Sequence, residues 1–262
     1  MERTYRIGTR ASPLALKQVE EALVMLRRFY PGMRSKVIGI DTYGDKDKAT
    51  PISEIEGTDF FTREIDEALL KDEIDFAVHS AKDLPDELRA GLVISALTEC
   101  LDPYDALVSK SGLTLDKLQE GARIGTSSLR RKAQLKEYRR DFEIVDVRGN
   151  IEERLMLLNK QRTTNDDQRK SRAVRQAHGA SNGAERSRST KSRDERRNMD
   201  AIVIAACALT RLGLSHRITQ RIPLEILRPH PLQGSLAIVA KESNRELLEL
   251  LSTIDSRKEV LS

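Results

Sequence analysis

Five arginines stand where an apolar run gives way to a polar turn that opens a helix: Arg10, Arg130, Arg131, Arg148 and Arg154. Ligand groups of open α/β sheets lie at such positions, and the helix N-termini there favour anions. A guanidinium can hold a carboxylate or a phosphate through two parallel hydrogen bonds. Because no matching set of acidic residues accompanies these arginines in the sequence, we expect a ligand that carries several carboxylates or phosphates.

The turn within residues 124–131 is the clearest of these anion-binding patterns, because glycine and three hydroxyl residues separate a strand from a helix. Backbone N–H groups, hydroxyl donors and two guanidiniums would gather there at the positive end of a helix dipole. The spacing of glycine and lysine is not that of a P-loop. In the first turn of the chain, Ser12 and Pro13 are typical of a helix start, which leaves Arg10 as the residue that a ligand would explain.

A second chemical group lies where the apolar strand 76–79 runs into a polar turn that holds Lys82 and Asp83. An aspartate at a strand end can cap a turn or act as a catalytic acid or base, and the local pattern leaves both roles open. His79 lies within the strand, which favours a core histidine with satisfied hydrogen bonds.

The net positive charge of the chain comes from one segment. The chain has 262 residues and a net charge of +4, but residues 161–198 hold 11 Lys and Arg against 5 Asp and Glu, which leaves −2 for the rest. This polar segment has few large apolar side chains, so it is predicted to be a disordered basic insertion. Attachment to nucleic acid through it is the least favoured function.

The two cysteines, Cys100 and Cys207, lie far apart and outside any Cys/His cluster, so neither a disulfide nor a metal site is predicted. With 39% hydrophobic residues the chain is long enough for one large or two ordinary domains. No apolar run has the length of a membrane span or the pattern of a secretory signal. We therefore expect a cytoplasmic protein that does not bind membranes.

Short apolar runs alternate with amphipathic stretches, as in βα units of a mainly parallel sheet. The predicted strands cover 5–8, 35–40, 76–79, 92–97, 123–125, 142–147, 201–205 and 235–239. The predicted helices cover 13–29, 61–71, 128–138, 151–159 and 209–214. Prolines at 103 and 229–231 mark two crossings between two α/β lobes. Lobe 1 would hold residues 1–99 and 233–262, lobe 2 residues 100–232, and a ligand would bind in the cleft between them.

Four segments, TRASPLAL, HSAKDLP, GTSSLRR and VRGNIEER, resemble in order and spacing the porphobilinogen deaminase (hydroxymethylbilane synthase) family. The segments AACALTRLGL and LQGSLAI resemble it too, so the likeness runs from about residue 6 to residue 251. The resemblance implies two lobes like those of type II periplasmic binding proteins, with a dipyrromethane cofactor in their cleft. It also implies an enzyme that condenses four porphobilinogen molecules head to tail into hydroxymethylbilane with release of ammonia.

The same resemblance assigns roles to individual residues. Asp83 matches the catalytic aspartate, and the five arginines match residues that bind the carboxylates of substrate and cofactor. The remaining predicted binding residues are Ser12, Ser80, Lys82, Thr126, Ser127, Ser128 and Gln233. The expected ligands are porphobilinogen and the growing polypyrrole chain.

The chain also departs from the family pattern. The third lobe, which holds the cofactor cysteine in an LEGGC loop, has no counterpart before Ser262, and Cys100 is the candidate substitute anchor. Glu54, Thr58 and Tyr104 stand where the family has basic loop and hinge residues. TDFFTREID, HSAKDLP and TECLDP resemble short forms from chlamydia-type bacteria. Two alternatives follow. The chain is an enzyme that keeps the cofactor noncovalently, through Cys100 or with help from a second chain, or the cleft binds pyrrole carboxylates or another polyanion without turnover.

Overall fold

Two five-stranded mixed sheets form the framework of the chain. A computed structural model describes residues 3–47, 58–159 and 199–257. The strands are β1 Thr4–Arg10, β2 Arg34–Ile40, β3 Phe76–Ser80, β4 Leu92–Leu97, β5 Asp105–Ser109, β6 Arg123–Gly125, β7 Glu143–Val145, β8 Ala201–Ala205, β9 Gln220–Arg221 and β10 Leu236–Lys241. The helices are α1 Pro13–Phe29, α2 Tyr43–Lys46, α3 Arg63–Leu70, α4 Leu129–Tyr138, α5 Ile151–Asn159, α6 Ala206–Arg211 and α7 Arg245–Leu251.

The first sheet has the order β2-β1-β3-β10-β4, and the second has the order β7-β6-β8-β5-β9. In the first, β1 runs parallel to β2 and β3, whereas β10 runs antiparallel to β3 and β4. In the second, β6 runs parallel to β7 and β8, whereas β5 runs antiparallel to β8 and β9. We call the two sheets with their helices the first and second lobe. The predicted fold class, two α/β lobes with mixed sheets, is confirmed.

Both faces of each sheet are covered, as strands this apolar require. In the first lobe, α1 and α7 bury one face in a cluster around Ile7 and Phe76, and α3 buries the other around Ile65. In the second lobe, α5 and α6 lie on the face that holds Ile202, and α4 covers the face that holds Phe142. Each lobe thus has its own core.

Helix α1 shows how the sequence sets a boundary close to the cleft. The Ser12 hydroxyl accepts a hydrogen bond from the Ala15 N–H over 3.3 Å, and Pro13 fills the first helical position. Val19 and Leu26 are fully buried on the face toward the sheet. The predicted bounds 13–29 are confirmed, so the turn that carries Arg10 lies directly before this helix.

Two crossings join the lobes. One leads from β4 to β5 through residues 98–104, and the other from β9 to β10 through residues 222–235. Each crossing delivers the strand that runs antiparallel to its neighbours, β5 or β10. The predicted domain boundaries, at 99/100 and 232/233, fall within these crossings and stay predictions. The basic insertion 161–198 and the predicted loop residue Glu54 lie outside the described residues.

Some predicted elements were wrong or missing. The helix predicted over 209–214 begins at Ala206 instead, because three small residues continue directly from β8 into the helix. Strands β5 and β9 were not predicted, since both lie beside turns and β9 has only two residues. Helix α7 was also missed. Within the described ranges, no helix is long and apolar enough to cross a membrane.

Candidate active site

A cavity of about 540 Å³ lies between the two lobes, and we call it the cleft. It is lined by residues from the turns after β1, β3, β6 and β7 and from the second crossing. Of the 13 residues predicted for the site, 12 line it: Arg10, Ser12, Ser80, Lys82, Asp83, Ser127, Ser128, Arg130, Arg131, Arg148, Arg154 and Gln233. The strand-end turns of both sheets therefore meet at one place, as the sequence pattern predicted.

The predicted hydroxyl residues are placed differently from one another. Thr126 is buried and does not line the cleft, and its Oγ1 has no hydrogen-bond partner in the described part of the chain. The Ser127 Oγ donates to the Val147 carbonyl at 2.5 Å and accepts from the Val147 N–H at 2.8 Å, so it ties two turns together. Ser12 caps α1. These bonds give Ser12 and Ser127 structural tasks, and their predicted ligand contacts stay predictions.

Gln18 is a cleft residue that the sequence analysis missed. Its side-chain amide donates to the Ser80 Oγ over 2.7 Å, and the residue is only 3% exposed. A glutamine inside an amphipathic helix is normally predicted to be a surface residue. The signal that could have found it is its position one turn after Ala15 and Leu14, on the apolar face of α1.

Arg10 does not lie free in the cleft. Its guanidinium forms an ion pair with Asp45 of α2, and its Nε also lies 3.2 Å from both Asp45 oxygens. The guanidinium carbon stands 4.5 Å from the ring centre of Phe61. Burial alone would raise the pKa of Asp45, but the hydrogen bond and charge of Arg10 lower it. Asp45 is thus one member of an acidic set that the sequence analysis took to be absent.

Asp105 is the second such acid, and it serves two of the predicted arginines. Its carboxylate lies 2.6 Å from Arg131 Nη2 and 3.1 Å from Arg130 Nη2. Burial by itself would raise the pKa of Asp105, but the charge and hydrogen bond of Arg131 lead the effects that bring it to about 2. The expectation of arginines without matching acids was therefore wrong, because both partners are distant in sequence and only folding brings them near.

Positive charge still exceeds what these acids neutralise. Arg131 Nε and Arg148 Nη1 are buried and have no hydrogen-bond partner among the described residues. Burial, followed by the charges of Arg131 and Arg148, lowers the pKa of Arg154 to about 10. A buried donor without a partner is costly, and a bound anion would satisfy it. The cleft thus has the electrostatics of a site for a ligand with several negative groups.

Asp83 is one of the acids that line the cleft, together with Asp41, Asp45, Glu152 and Glu153. It ends the short turn Ala81–Asp83 after β3, and its carboxylate has no hydrogen bond or ion pair with any described residue. Its neighbour Lys82 donates from Nζ to Gln233 Oε1 over 2.9 Å. Burial, and next the charge of Arg131, lowers the pKa of Lys82. A carboxylate in a cleft lined by arginines can stabilise a cation that forms on a bound anion.

Cys100 lies in the first crossing and Cys207 is buried, whereas His79 departs in part from its predicted setting. Cys100 is not among the residues that line the described cleft, and its Sγ donates to the Gln233 carbonyl at 3.1 Å. Cys207 does line the cleft, and burial raises the pKa of its thiol. His79 is buried as predicted, but its Nε2 has no hydrogen-bond partner in the described ranges, so it is not a satisfied core histidine.

Fold and site together define a two-lobed α/β protein with a cleft lined by arginines. Residues 5–249 match the family described as "Porphobilinogen deaminase, dipyromethane cofactor binding domain". The porphobilinogen deaminase of Natranaerobius thermophilus is 38% identical over 97% of this chain and 72% of that protein. That of Xanthomonas campestris is 38% identical over 97% of this chain and 71% of that protein. The chain belongs to the porphobilinogen deaminase family, whose members are transferases and whose cofactor is dipyrromethane.

Solved structures with a similar fold are more distant. The methionine-binding protein MetQ is 13% identical, has a TM-score of 0.48, and matches 96% of this chain and 89% of its own. A second substrate-binding domain of a putative amino acid ABC transporter from Streptococcus pneumoniae is 11% identical, has a TM-score of 0.49, and matches 98% of this chain and 94% of its own.

Proposed function

We propose that this chain condenses four porphobilinogen molecules head to tail into hydroxymethylbilane and releases one ammonia for each molecule added. The observation that carries the proposal is the setting of Asp83, which lines the cleft together with Arg10, Arg130, Arg131, Arg148 and Arg154. Family membership supports the same reaction. Binding of a polyanion without turnover is not favoured, since Asp83 would then have no task.

The arginines would bind the substrate through its acidic groups. Each porphobilinogen carries an acetate and a propionate, so a growing chain accumulates carboxylates. Arg131 and Arg148 each hold a buried donor with no acceptor in the described part of the chain, which a carboxylate oxygen would satisfy. Arg154, deep in a cationic surrounding, would gain stability from the same negative charge. The arginines thus orient each pyrrole and compensate its charge.

Asp83 would act on the reacting pyrrole. Loss of ammonia from porphobilinogen leaves an electron-poor azafulvene, whose pyrrole nitrogen is positively charged. A carboxylate within the cleft stabilises that nitrogen cation and can take up the proton that the attacking pyrrole carbon releases after the new bond forms. Asp45 and Asp105 are engaged by arginines, so we assign this task to Asp83, which ends the turn after β3 and lines the cleft.

The residues present fit a dipyrromethane, because the partnerless donors of Arg131 and Arg148 suit its carboxylates. Arg130, Arg131, Arg148 and Arg154 would hold these groups, while Asp83 would face the pyrrole nitrogens. When bound, the cofactor supplies the pyrrole carbon to which the first substrate is added. We assign no residue to its attachment, and Cys100 is a poor candidate because it does not line the cleft and its Sγ donates to the Gln233 carbonyl.

The test is consumption of porphobilinogen by the purified protein, followed by oxidation of the product to uroporphyrin. Wild-type protein should consume substrate and form a porphyrin, and Arg131→Gln should lose most of this activity. Arg63→Gln is the matched control, because Arg63 pairs with Asp59 on an exposed turn outside the cleft. Absence of consumption by the wild-type protein would reject the proposed function.

A cytoplasmic location and a second chain that supplies a further domain also stay predictions.

A further inference from the structure

Asp105 occupies a special position that the sequence analysis did not single out. It is the first residue of β5, directly after the first crossing between the lobes, and it is fully buried. Its Oδ1 accepts from Arg131 Nη2 at 2.6 Å and from Gln233 Nε2 at 2.8 Å, while its Oδ2 accepts from Arg130 Nη2 at 3.1 Å. One carboxylate thus holds two cleft guanidiniums and one amide.

Gln233 extends this arrangement to the other lobe. Its Oε1 accepts from Lys82 Nζ at 2.9 Å and from Arg131 Nη2 at 3.4 Å. Its Nε2 also donates to the Pro103 carbonyl, in the first crossing, at 2.8 Å. Because cations surround the oxygen and acceptors surround the nitrogen, the amide orientation is chemically determined. The amide of Gln233 is fully engaged and the residue is only 1% exposed, and its predicted contact with a substrate carboxylate stays a prediction.

Asp105 does not neutralise the cations around it, which favours a role in holding them in position. Asp105 supplies one negative charge to three cations, Arg130, Arg131 and Lys82, so the group keeps a net positive charge. Arg131 Nε keeps no acceptor among the described residues. A flexible guanidinium that is already held in place loses less freedom when it binds a carboxylate.

We propose that Asp105 is a positioning residue for substrate carboxylates: it fixes Arg130 and Arg131 directly and Lys82 through Gln233. The inference rests on the proposed function, because it assigns these cations to the carboxylates of porphobilinogen. Since Asp105 directly follows the first crossing and Gln233 lies on the second, the three cations take up their arrangement only when both lobes are in register.

A comparison within the chain separates positioning from stability. Asp75 also pairs with two arginines, at 3.1 Å from Arg3 Nη2 and 3.0 Å from Arg6 Nη2, but it lies outside the cleft. Asp75→Asn therefore removes a similar ion-pair group without reaching the site. It is the matched control for Asp105→Asn.

The test is a double-mutant cycle of Asp105→Asn and Arg131→Gln, with KM, kcat and the calorimetric dissociation constant for porphobilinogen as readouts. Asp105→Asn alone should raise KM and the dissociation constant about 10- to 100-fold, the range for a charged hydrogen bond, with a smaller change in kcat. In the Arg131→Gln background it should add less than about 3-fold, because coupled residues are not additive. Asp75→Asn should leave KM within about 2-fold and lower only the melting temperature.

Equal factors for Asp105→Asn in both backgrounds, or an unchanged KM, would overturn the inference. Should Asp105→Asn fail to fold, Gln233→Met takes its place in the cycle, with the same coupling to Arg131→Gln expected. The dissociation constant does not need turnover. A wild-type protein that binds porphobilinogen without converting it would thus reject the proposed function while the cycle still decides the role of Asp105.

Discussion

The guanidinium of Arg148, in the second lobe, donates a hydrogen bond from Nη2 to the backbone carbonyl of Asp47, in the first lobe, over 2.7 Å. Elsewhere between the lobes, Arg211 of α6 donates to Glu21 of α1 at 2.6 Å and 3.0 Å. Arg148 keeps a second nitrogen, Nη1, that has no partner in the described ranges. One arginine can therefore connect the two lobes and a bound anion at the same time.

Replacement of Arg148 should weaken substrate binding in a graded manner. Arg148→Gln removes the charge and should raise KM for porphobilinogen about 10- to 100-fold. Arg148→Lys keeps the charge but cannot bond to Asp47 and a carboxylate through one planar group, so an intermediate KM is expected. Steady-state kinetics beside Arg63→Gln measures both effects. Equal KM values for wild type and Arg148→Gln would exclude Arg148 from the binding site.

Asp66 should lower the stability of the folded chain at neutral pH. It is fully buried, and burial raises its pKa from 3.8 to about 6, against the lowering effect of the Thr62 side chain. Its folded form binds the proton more tightly, so stability falls as pH rises from about 4 to about 6. Asp66→Asn should raise the free energy of unfolding at pH 7 by on the order of 2 kcal/mol.

Urea unfolding at pH 7 and pH 4 checks this prediction. The gain from Asp66→Asn should be large at pH 7 and small at pH 4, where the wild-type carboxyl is already protonated. Asp86→Asn, at an exposed position, is the control and should change little at either pH. A destabilised Asp66→Asn at pH 7 would show that the carboxylate has a favourable partner.

His79 should lower the stability of the folded chain at acid pH, whereas Asp66 lowers it at neutral pH. Burial leads the effects that lower its pKa from 6.5 to about 4, so the unfolded chain binds the proton more readily. Stability is then lost as pH falls from about 6.5 to about 4, by on the order of 3 kcal/mol. In His79→Phe that part of the pH dependence should disappear. Unfolding curves across this pH range test the prediction, with His216→Phe at an exposed position as the control. If His79→Phe kept the same dependence of stability on pH as the wild type and the control, the prediction would be contradicted.

Much of the fold could be predicted because local signals and global structure agree. Ser12 and Pro13 set the start of α1, and the strand over 201–205 was predicted with the observed bounds because it is uniformly apolar. Strand β5 was missed because its pairing with β8 depends on residues about 100 positions away. The strand over 235–239 was predicted near its observed place, since a short apolar run follows a Pro-rich turn.

The site was predicted in its cations but not in their partners. Arginines at strand ends can be found from sequence, because the carboxyl ends of neighbouring strands meet at one edge of a sheet. Asp45 and Asp105 carry no local signal, and they lie 35 and 26 residues from Arg10 and Arg131. The partners of the Gln233 amide were not predicted for the same reason: Lys82, Pro103 and Asp105 are all distant from it in sequence.

The central claim is that Asp83 acts on a pyrrole that the arginines have already bound. Calorimetric binding of porphobilinogen and ammonia release, measured on the same preparations of wild type and Asp83→Asn, test it most directly. Both proteins should bind porphobilinogen with affinities within about 3-fold, while only the wild type releases one ammonia per porphobilinogen consumed and the variant is slower by about 100-fold or more. Ammonia release by Asp83→Asn at the wild-type rate would contradict the account.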